Sequence, residues 1–227
     1  MAPGLILNVA DDVVEAATTH ITTTINAAIA ERDTASIALS GGSTPWLVFA
    51  QLAKADIDWG RVQIYQVDER VATIDSGIRN WARLQGTLLD LVDVRGVPMP
   101  VDSILDGRPP EKAAAAYETE LPDRFDLIHL GLGDDGHTAS LVPGDPVLEI
   151  EDRSVAITQL YNGQRRMTLT YPVLNSAREI LWLAAGENKA SMLARLVSGD
   201  QSIPGGRVST RAATIVTDAA AASGLND

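Results

Sequence analysis

Residues 125–144 read FDLIHLGLGDDGHTASLVPG, a largely apolar run that leads directly into a glycine-rich loop. A short apolar run of this kind, bounded by turn-forming residues, predicts a buried β-strand. The glycines that follow, Gly131, Gly133 and Gly136, have the spacing Gly-x-Gly-x-x-Gly. This spacing is typical of the strand-to-helix turn of dinucleotide-binding domains. The stretch therefore predicts a central strand of an α/β sheet.

Short β-forming runs alternate with helical patterns along most of the chain. Strands are predicted at 5–9, 36–39, 61–67, 124–130, 154–160, 166–171, 179–185 and 213–217. Helices are predicted at 14–29, 45–55, 81–92, 111–121 and 187–197, with a short fraying helix in the tail at 218–227. This alternation indicates a mostly parallel sheet with helices on both faces. We expect one domain over residues 1–227, with a three-layer α/β/α, Rossmann-like fold.

Two helix starts and one connection are also predicted from local signals. Asp12 and Glu15 have the spacing of a capping box for the first long helix. Thr44 and Pro45 fit an N-cap followed by a proline in the first helical position. Residues 93–110 are rich in proline and glycine, and we expect them to form an irregular connection.

The composition of the 227 residues excludes several classes of protein. The formal net charge is −12 and the basic residues are scattered, so no nucleic-acid partner is expected. No apolar run approaches the roughly 20 residues of a membrane helix, and the N-terminus lacks the basic segment of a signal peptide. We therefore expect a cytoplasmic protein with no membrane partner. Because cysteine is absent, disulfides, thiolate nucleophiles and thiolate-bound metals are excluded.

The dinucleotide interpretation of the glycine spacing fails on the neighbouring residues. Asp134 and Asp135 fall where the pyrophosphate would lie and would repel it. Pro143 ends the following segment early, whereas a dinucleotide site needs a long helix whose N-terminus faces the diphosphate. We interpret the three glycines instead as the backbone freedom that turns the chain sharply off the strand and orients an acid and a histidine.

His137 is the strongest candidate for proton transfer. It lies just beyond the predicted strand, between Gly136 and Thr138, and an imidazole is suited to accept a proton from water near neutral pH. His20 falls among threonines on the first helix and is predicted to be exposed. His129 lies inside the apolar strand and is predicted to be a hydrogen-bonded core residue. A purely structural role for His137 remains the alternative.

Residues 40–45, SGGSTP, form a second candidate loop. Gly41 and Gly42 let the backbone approach a ligand closely, and the N–H groups of a helix start, with the hydroxyls of Ser43 and Thr44, can bind phosphate. The nucleoside-triphosphate motif G-x-x-x-x-G-K-[ST] is absent. A tight turn capped by Thr44 explains the same residues equally well.

Charged residues flank three further predicted elements. Asp68 and Arg70 follow the strand at 61–67, at the end where open α/β sheets place their ligands. Arg166 opens a later strand and Lys189 begins a helix, and either could bind phosphate oxygens. The alternatives are a surface ion pair for the first two and plain surface charge for the others.

These loops are all predicted to follow the carboxyl ends of strands. In a parallel sheet the carboxyl ends of the strands lie at one edge. The loop at 40–45, the Asp-Glu-Arg triplet at 68–70 and His137 are therefore expected to converge.

Several motifs, in this order, carry a family resemblance: SGGSTP, VDER at 67–70, Asn80, GLGDDGHTASLVPG, RMTLTYPVLNSA at 166–177 and GENKASML at 186–193. Together they resemble the glucosamine-6-phosphate isomerase/6-phosphogluconolactonase family, and in particular its lactone-hydrolysing members. The chain departs from the usual pattern at Val71 in VATI, at Arg79, at Val142, and at Gly205 and Gly206 in IPGG. These departures lie in loops that flank the expected site.

The resemblance implies hydrolysis of 6-phospho-D-glucono-1,5-lactone to 6-phosphogluconate in the oxidative pentose phosphate pathway, with no metal and no organic cofactor. A lactone is an activated ester, so a base, a positioned water and an oxyanion donor suffice. We assign His137 as the base, Arg70 as the partner of substrate or oxyanion, and Asp68 as a residue that fixes site geometry. The expected phosphate ligands are Gly41, Gly42, Ser43, Thr44, Arg166 and Lys189, and the expected loop-orienting residues are Asp135 and Gly136.

The partner implied is a small-molecule sugar phosphate lactone, and the protein is expected to be a monomer or a homodimer. A glucosamine-6-phosphate deaminase is the nearest alternative, but such enzymes carry Asp-Glu-Tyr and His-Ile-Ala-Phe-Asn where this chain has DER and HTAS. The other alternative is a non-catalytic sugar-phosphate sensor, whose DNA-binding segment has no room in this pattern.

Overall fold

The computed structural model describes residue 2 and residues 4–225. The strands are β1 (Leu5–Val9), β2 (Ala35–Leu39), β3 (Val62–Gln66), β4 (Asp68–Arg70), β5 (Arg95–Val97), β6 (Leu127–Gly131), β7 (Val155–Ile157), β8 (Arg166–Leu169), β9 (Ile180–Ala184) and β10 (Ala213–Thr217). The α-helices are α1 (Val13–Arg32), α2 (Ser43–Leu52), α3 (Asn80–Leu84), α4 (Asp102–Leu105), α5 (Pro110–Glu118), α6 (Tyr171–Ser176), α7 (Ala190–Ser198) and α8 (Ala219–Ala222).

Seven strands form one parallel sheet in the order β1-β10-β9-β6-β2-β3-β5. Helices α1, α2 and α3 pack on one face of this sheet, and α5, α6, α7 and α8 pack on the other. The predicted three-layer α/β/α fold is confirmed. None of the described helices combines the length and apolar character needed to cross a bilayer.

The central strands are apolar on both faces because each face is covered by helices. In β6, Leu127 packs with the α1–α3 layer, whereas Ile128 and Leu130 pack with the opposite layer. This alternation follows from the two-residue period of a strand. It explains why a nearly continuous apolar run predicted a buried strand at this position.

Three strands lie outside the main sheet and differ most from the sequence prediction. Strands β4, β8 and β7 form a small antiparallel sheet. Strands β7 and β8 are shorter than the strands predicted at 154–160 and 166–171. Tyr171 begins α6 rather than ending β8, because Pro172 occupies the first turn of that helix and its ring fixes a helical φ. The connection at 93–110 contains β5, which pairs with β3 at the sheet edge.

The two predicted helix starts have opposite outcomes. Asp12 caps α1 as expected, because its Oδ1 accepts hydrogen bonds from Val14 N at 2.9 Å and Glu15 N at 3.0 Å. The prediction that Thr44 caps α2 is wrong. The helix begins at Ser43 after Gly42, whose φ of 149° is open to glycine, and no side chain caps it.

The helix predicted at 81–92 begins at Asn80 as α3 and continues as a π-helical turn over 85–89. In the tail, Asp218 caps α8 by accepting a hydrogen bond from Ala221 N at 2.7 Å. The last two residues of the predicted tail helix lie outside the described residues.

A buried carboxylate connects β4 to the start of α3. Glu69 is 0% exposed. Its Oε1 accepts from Asn80 N at 2.9 Å and its Oε2 from Trp81 N at 2.8 Å, so it satisfies two N–H groups at the start of α3. Gln66 Nε2 and Arg70 N donate to the same carboxylate at 2.9 and 2.7 Å.

Arg79 supplies the opposite charge at this junction. Its side chain is 1% exposed, and its Nε lies 3.0 Å from Glu69 Oε2 in an ion-pair rather than a hydrogen-bond geometry. Its Nη1 donates to Ala72 O at 3.0 Å and to Asp102 Oδ1 at 2.8 Å. The interpretation of the triplet at 68–70 as an exposed loop with a surface ion pair is wrong, because Asp68 and Glu69 are both buried.

We predict that Glu69→Gln lowers the free energy of unfolding by about 3 kcal/mol or more, because it leaves the Arg79 charge and several buried donors incompletely paired. Denaturant titration followed by circular dichroism measures the change. Glu120→Gln is the matched control, since Glu120 pairs with Arg95 at 3.3 Å on the surface and such pairs contribute at most about 1 kcal/mol. Equal effects of the two substitutions would contradict the prediction.

Candidate active site

A cavity of about 540 Å³ lies at the carboxyl ends of four neighbouring strands, β9, β6, β2 and β3. The order of the strands changes direction between β2 and β6, and such points are where open α/β sheets bind ligands. The cavity brings together every predicted site residue except Gly136: its lining includes Gly41, Gly42, Ser43, Thr44, Asp68, Arg70, Asp135, His137, Arg166 and Lys189.

Asp135 and His137 form a hydrogen-bonded pair in the loop after β6. Asp135 Oδ1 lies 2.6 Å from His137 Nδ1 and accepts the His137 backbone N–H at 3.0 Å. Burial raises the pKa of Asp135, but the two hydrogen bonds from His137 outweigh it and hold the net pKa below its usual value. A deprotonated carboxylate only accepts, so Nδ1 carries a proton, and in the neutral imidazole the lone pair lies on Nε2.

Two of the three glycines in this loop are required by geometry. A Cβ on Gly133 would lie 2.1 Å from His137 Nδ1, so the imidazole rests directly on that backbone. Gly136 has a φ of 81°, and a Cβ there would lie 2.7 Å from Ile203. A Cβ on Gly131 would meet nothing within 4 Å and its φ is not positive, so the expectation that Gly131 supplies needed freedom is wrong.

The loop between β2 and α2 presents an uncapped helix start to the cavity. The N–H groups of Ser43 and Thr44 lie in the first turn, where no carbonyl within the helix can accept them. Gly41 keeps the loop close to α3, because a Cβ there would lie 2.5 Å from Asn80 Oδ1. Such N–H groups together with the positive end of the helix dipole favour an anion.

The other two histidines have structural surroundings. His129 is fully buried, and its Nδ1 accepts the Ser40 backbone N–H at 3.3 Å, which confirms a hydrogen-bonded core histidine. Burial lowers its pKa to about 4, so it is neutral. His20 is half-buried rather than exposed, because its Nε2 lies 2.6 Å from Glu179 Oε1.

Asp68 joins the His137 loop to the start of α3. Its Oδ2 accepts from Ser140 Oγ at 2.7 Å, and its backbone oxygen accepts from Asn80 Nδ2 at 3.1 Å. Burial raises the pKa of this carboxyl despite the Ser140 hydrogen bond and the nearby Arg166. The hydrogen bond between Asp68 and Asn80 therefore joins the two ends of the loop at 71–79 beside the cavity.

Among the described residues, three cations line the cavity, Arg70, Arg166 and Lys189, and they differ in whether a carboxylate forms a salt bridge with them. Arg70 Nη1 donates to Ile78 O at 2.5 Å and Asn80 Oδ1 at 3.2 Å. Within residues 4–225, neither Arg70 nor Arg166 forms a salt bridge, and the buried Nε of Arg166 has no hydrogen-bond acceptor. Two guanidinium groups are therefore free to bind an anion.

Lys189 is already paired. Its Nζ lies 2.5 Å from Asp134 Oδ1, and Asn188 Nδ2 donates to the same oxygen at 3.0 Å. The hydrogen bond from Lys189 is the main reason that the pKa of Asp134 lies below its usual value. An anion at this side of the cavity shares the ammonium with Asp134.

Sequence reasoning missed Tyr161, which contacts several site residues. Its hydroxyl donates to Asp135 Oδ2 at 3.1 Å. The residue lies at the tip of a hairpin whose central residues, Asn162 and Gly163, have φ values of 51° and 76°. Asn-Gly between two β-forming runs is the strongest short signal for such a hairpin, so the sequence contained the information needed to pair β7 with β8.

Taken together, these groups can supply a base, an uncapped helix start and two guanidinium groups without a salt bridge in residues 4–225 to one ligand. No group of three or more His, Asp or Glu side chains in the described part of the chain is arranged to hold a metal ion.

Comparisons with known proteins agree with this geometry. A family model described as glucosamine-6-phosphate isomerases/6-phosphogluconolactonase matches residues 8–217. A 6-phosphogluconolactonase of Synechocystis sp. is 38% identical over 196 residues, which cover 81% of this chain and 80% of the relative. The 6-phosphogluconolactonase of Streptomyces coelicolor is 35% identical over 236 residues, which cover 93% of this chain and 90% of the relative.

Solved structures give the same result. The crystal structure of a 6-phosphogluconolactonase from Thermotoga maritima matches with a TM-score of 0.85 and 27% identity, over 94% of this chain and 99% of that chain. A monomeric glucosamine-6-phosphate deaminase matches with a TM-score of 0.82 at 18% identity, over 97% of this chain and 99% of that chain, and so shares the fold. The chain therefore belongs to the glucosamine-6-phosphate isomerase/6-phosphogluconolactonase family.

Proposed function

We propose that this chain is a 6-phosphogluconolactonase, which hydrolyses 6-phospho-D-glucono-1,5-lactone to 6-phosphogluconate. The observation that carries the proposal is the Asp135–His137 pair, 2.6 Å apart, in a cavity that also holds two guanidinium groups that form no salt bridge among the described residues. The relatives that are 38% and 35% identical and bear this name support the same activity.

His137 acts as the general base in this proposal. Its Nε2 accepts a proton from water as the water oxygen bonds to the lactone carbonyl carbon, and the carbonyl oxygen becomes an oxyanion. The imidazolium is stabilised by Asp135, whose carboxylate faces Nδ1. When the oxyanion collapses, the ring C–O bond breaks and the imidazolium returns the proton to the departing ring oxygen.

The cations and the first turn of α2 bind two different parts of the substrate, the phosphate group and the lactone carbonyl. The phosphate binds the first turn of α2 and Arg166, with Lys189 beside it. Arg70 faces the lactone end, where a guanidinium stabilises the negative charge that develops on the carbonyl oxygen. Asp68 holds Ser140 and Asn80 in place, so it fixes the distance between the His137 loop and Arg70.

We predict that His137→Ala lowers kcat for lactone hydrolysis by roughly 10²- to 10⁴-fold, the usual contribution of a general base, with little change in KM. The rate is measured above spontaneous hydrolysis of the lactone. His20→Ala is the matched control, because His20 pairs with Glu179 outside the cavity. A His137→Ala enzyme with near-native turnover would remove His137 from the mechanism.

We predict that Arg166→Ala raises KM by roughly 10- to 100-fold and changes kcat much less, because it removes a charged hydrogen bond present in ground and transition states alike. Steady-state kinetics measure both constants. Arg165→Ala is the matched control, since Arg165 is the adjacent, exposed arginine and does not line the cavity. A collapse of kcat at constant KM would instead assign Arg166 a part in the chemical step.

The same preparation separates the alternative functions. Ammonia release from glucosamine 6-phosphate tests for a deaminase, and equilibrium binding of 6-phosphogluconate tests for a non-catalytic sensor. Binding without hydrolysis, or ammonia release in place of hydrolysis, would overturn the proposal.

A further inference from the structure

We propose that Tyr161 is a positioning residue for the catalytic pair: its hydroxyl fixes the Asp135 carboxylate, which in turn aims His137 at the attacking water. The inference rests on the proposed lactonase activity. It concerns a side chain on a different structural element, the hairpin between β7 and β8, whose Tyr161 lines one side of the cavity.

The contacts of Asp135 show why a second donor matters. Both hydrogen bonds from His137, at 2.6 and 3.0 Å, reach the same oxygen, Oδ1. Rotation of the carboxylate about its Cβ–Cγ bond moves both oxygens. Because the Tyr161 hydroxyl donates to the other oxygen, Oδ2, at 3.1 Å, such a rotation breaks hydrogen bonds on both sides of the group.

The phenol remains a donor at neutral pH. Burial and the hydrogen bond to Asp135 raise the pKa of Tyr161 above its usual value. Since Asp135 is ionised, the hydrogen bond runs from a neutral hydroxyl to a charged acceptor, which is the stronger kind of hydrogen bond.

The hairpin holds Tyr161 in this position. Tyr161 N donates to Gln164 O at 3.0 Å, and Gln164 N donates to Tyr161 O at 3.1 Å, which closes the turn on both sides. Asn162 and Gly163 adopt the left-handed conformations that such a two-residue turn requires. The main chain of Tyr161 is thus held by a closed turn, and the phenol reaches Asp135 from that fixed position.

The Tyr161 ring has a second contact that concerns substrate binding. The guanidinium carbon of Arg166 lies 5.2 Å from the ring centroid, within the range of a cation–π interaction. The ring also meets the His137 imidazole edge to face, with centroids 5.7 Å apart. The hydroxyl therefore acts on the base through Asp135, and the ring contacts both the base and the proposed phosphate ligand.

This division predicts different kinetics for two substitutions. Tyr161→Phe removes only the hydroxyl, so we expect kcat to fall by about 5- to 20-fold with KM nearly unchanged. Tyr161→Leu also removes the ring beside Arg166, so we expect a similar fall in kcat and, in addition, a rise in KM of severalfold.

A double-mutant cycle with Asp135→Asn tests whether Tyr161 acts through Asp135. We expect Tyr161→Phe to cause little further loss of kcat in the Asp135→Asn background, because the carboxylate that it positions is gone. An equal loss in both backgrounds would overturn the proposal. So would an unchanged kcat in Tyr161→Phe, or a change confined to KM, which would instead identify the hydroxyl as a substrate contact.

Tyr65→Phe is the matched control. It also removes a phenolic hydroxyl that donates to a side chain, Gln63 Oε1 at 2.8 Å, but Tyr65 lies on β3 outside the cavity lining. We expect this variant to keep both kinetic constants. Thermal unfolding of all variants separates a loss of folded protein from a loss of positioning.

A spectroscopic measurement tests the proposal independently of lactone hydrolysis. The charged groups that face the His137 imidazole are Asp135 on its own loop, Asp134 with its partner Lys189, and Arg166 beyond the Tyr161 ring. Removing the Tyr161 hydroxyl releases Oδ2 of Asp135, which weakens the hydrogen bond between its Oδ1 and His137 Nδ1. The Nδ1–H proton resonance of His137, observed by ¹H–¹⁵N NMR at one pH in both proteins, is therefore expected to move upfield in Tyr161→Phe.

The two readouts distinguish the two ways of failing. If the wild-type enzyme does not hydrolyse the lactone, the proposed function fails, and the NMR measurement alone decides whether Tyr161 acts on the pair. If the wild-type enzyme is active and the Nδ1–H resonance does not move in Tyr161→Phe, the positioning role fails and the lactonase proposal stands.

Discussion

The carboxylate of Glu69 accepts hydrogen bonds from Gln66, Arg70, Asn80 and Trp81 while it is completely buried, and it balances the charge of Arg79. A buried charge is tolerated only when it is paired and hydrogen-bonded in this way. Because those donors belong to the end of β3, to β4 and to the start of α3, their relative positions are set by one group. The position of the Arg70 guanidinium in the cavity depends on that arrangement.

The cavity shows how a chain with a net charge of −12 presents an anion site. Long-range electrostatics oppose the approach of a phosphate, so attraction must come from local groups. Neither Arg70 nor Arg166 forms a salt bridge in the described part of the chain, and α2 begins without a side-chain cap. The missing cap costs the helix some stability, and it leaves N–H groups available to a ligand.

The sequence predicted the strands, the helices and the meeting of the loops at one sheet edge, because these depend on short-range periodicity and on the geometry of parallel sheets. It was wrong where local signals compete. Thr44 has a good capping side chain, but Gly42 allows the helix to begin earlier. The triplet at 68–70 resembles an exposed charged turn, yet Glu69 is buried because Arg79 reaches it from the other end of the loop.

By itself the sequence determined the α/β/α fold and the loops that border the cavity, apart from the hairpin that carries Tyr161, since both follow from elements continuous along the chain. Only the tertiary structure decided how those residues are paired. Ser140 bonds to Asp68 across 72 positions, Lys189 to Asp134 across 55, and Tyr161 to Asp135 across 26. No periodicity encodes such contacts, because they depend on the packing of separate loops to within about 3 Å, the range of a hydrogen bond.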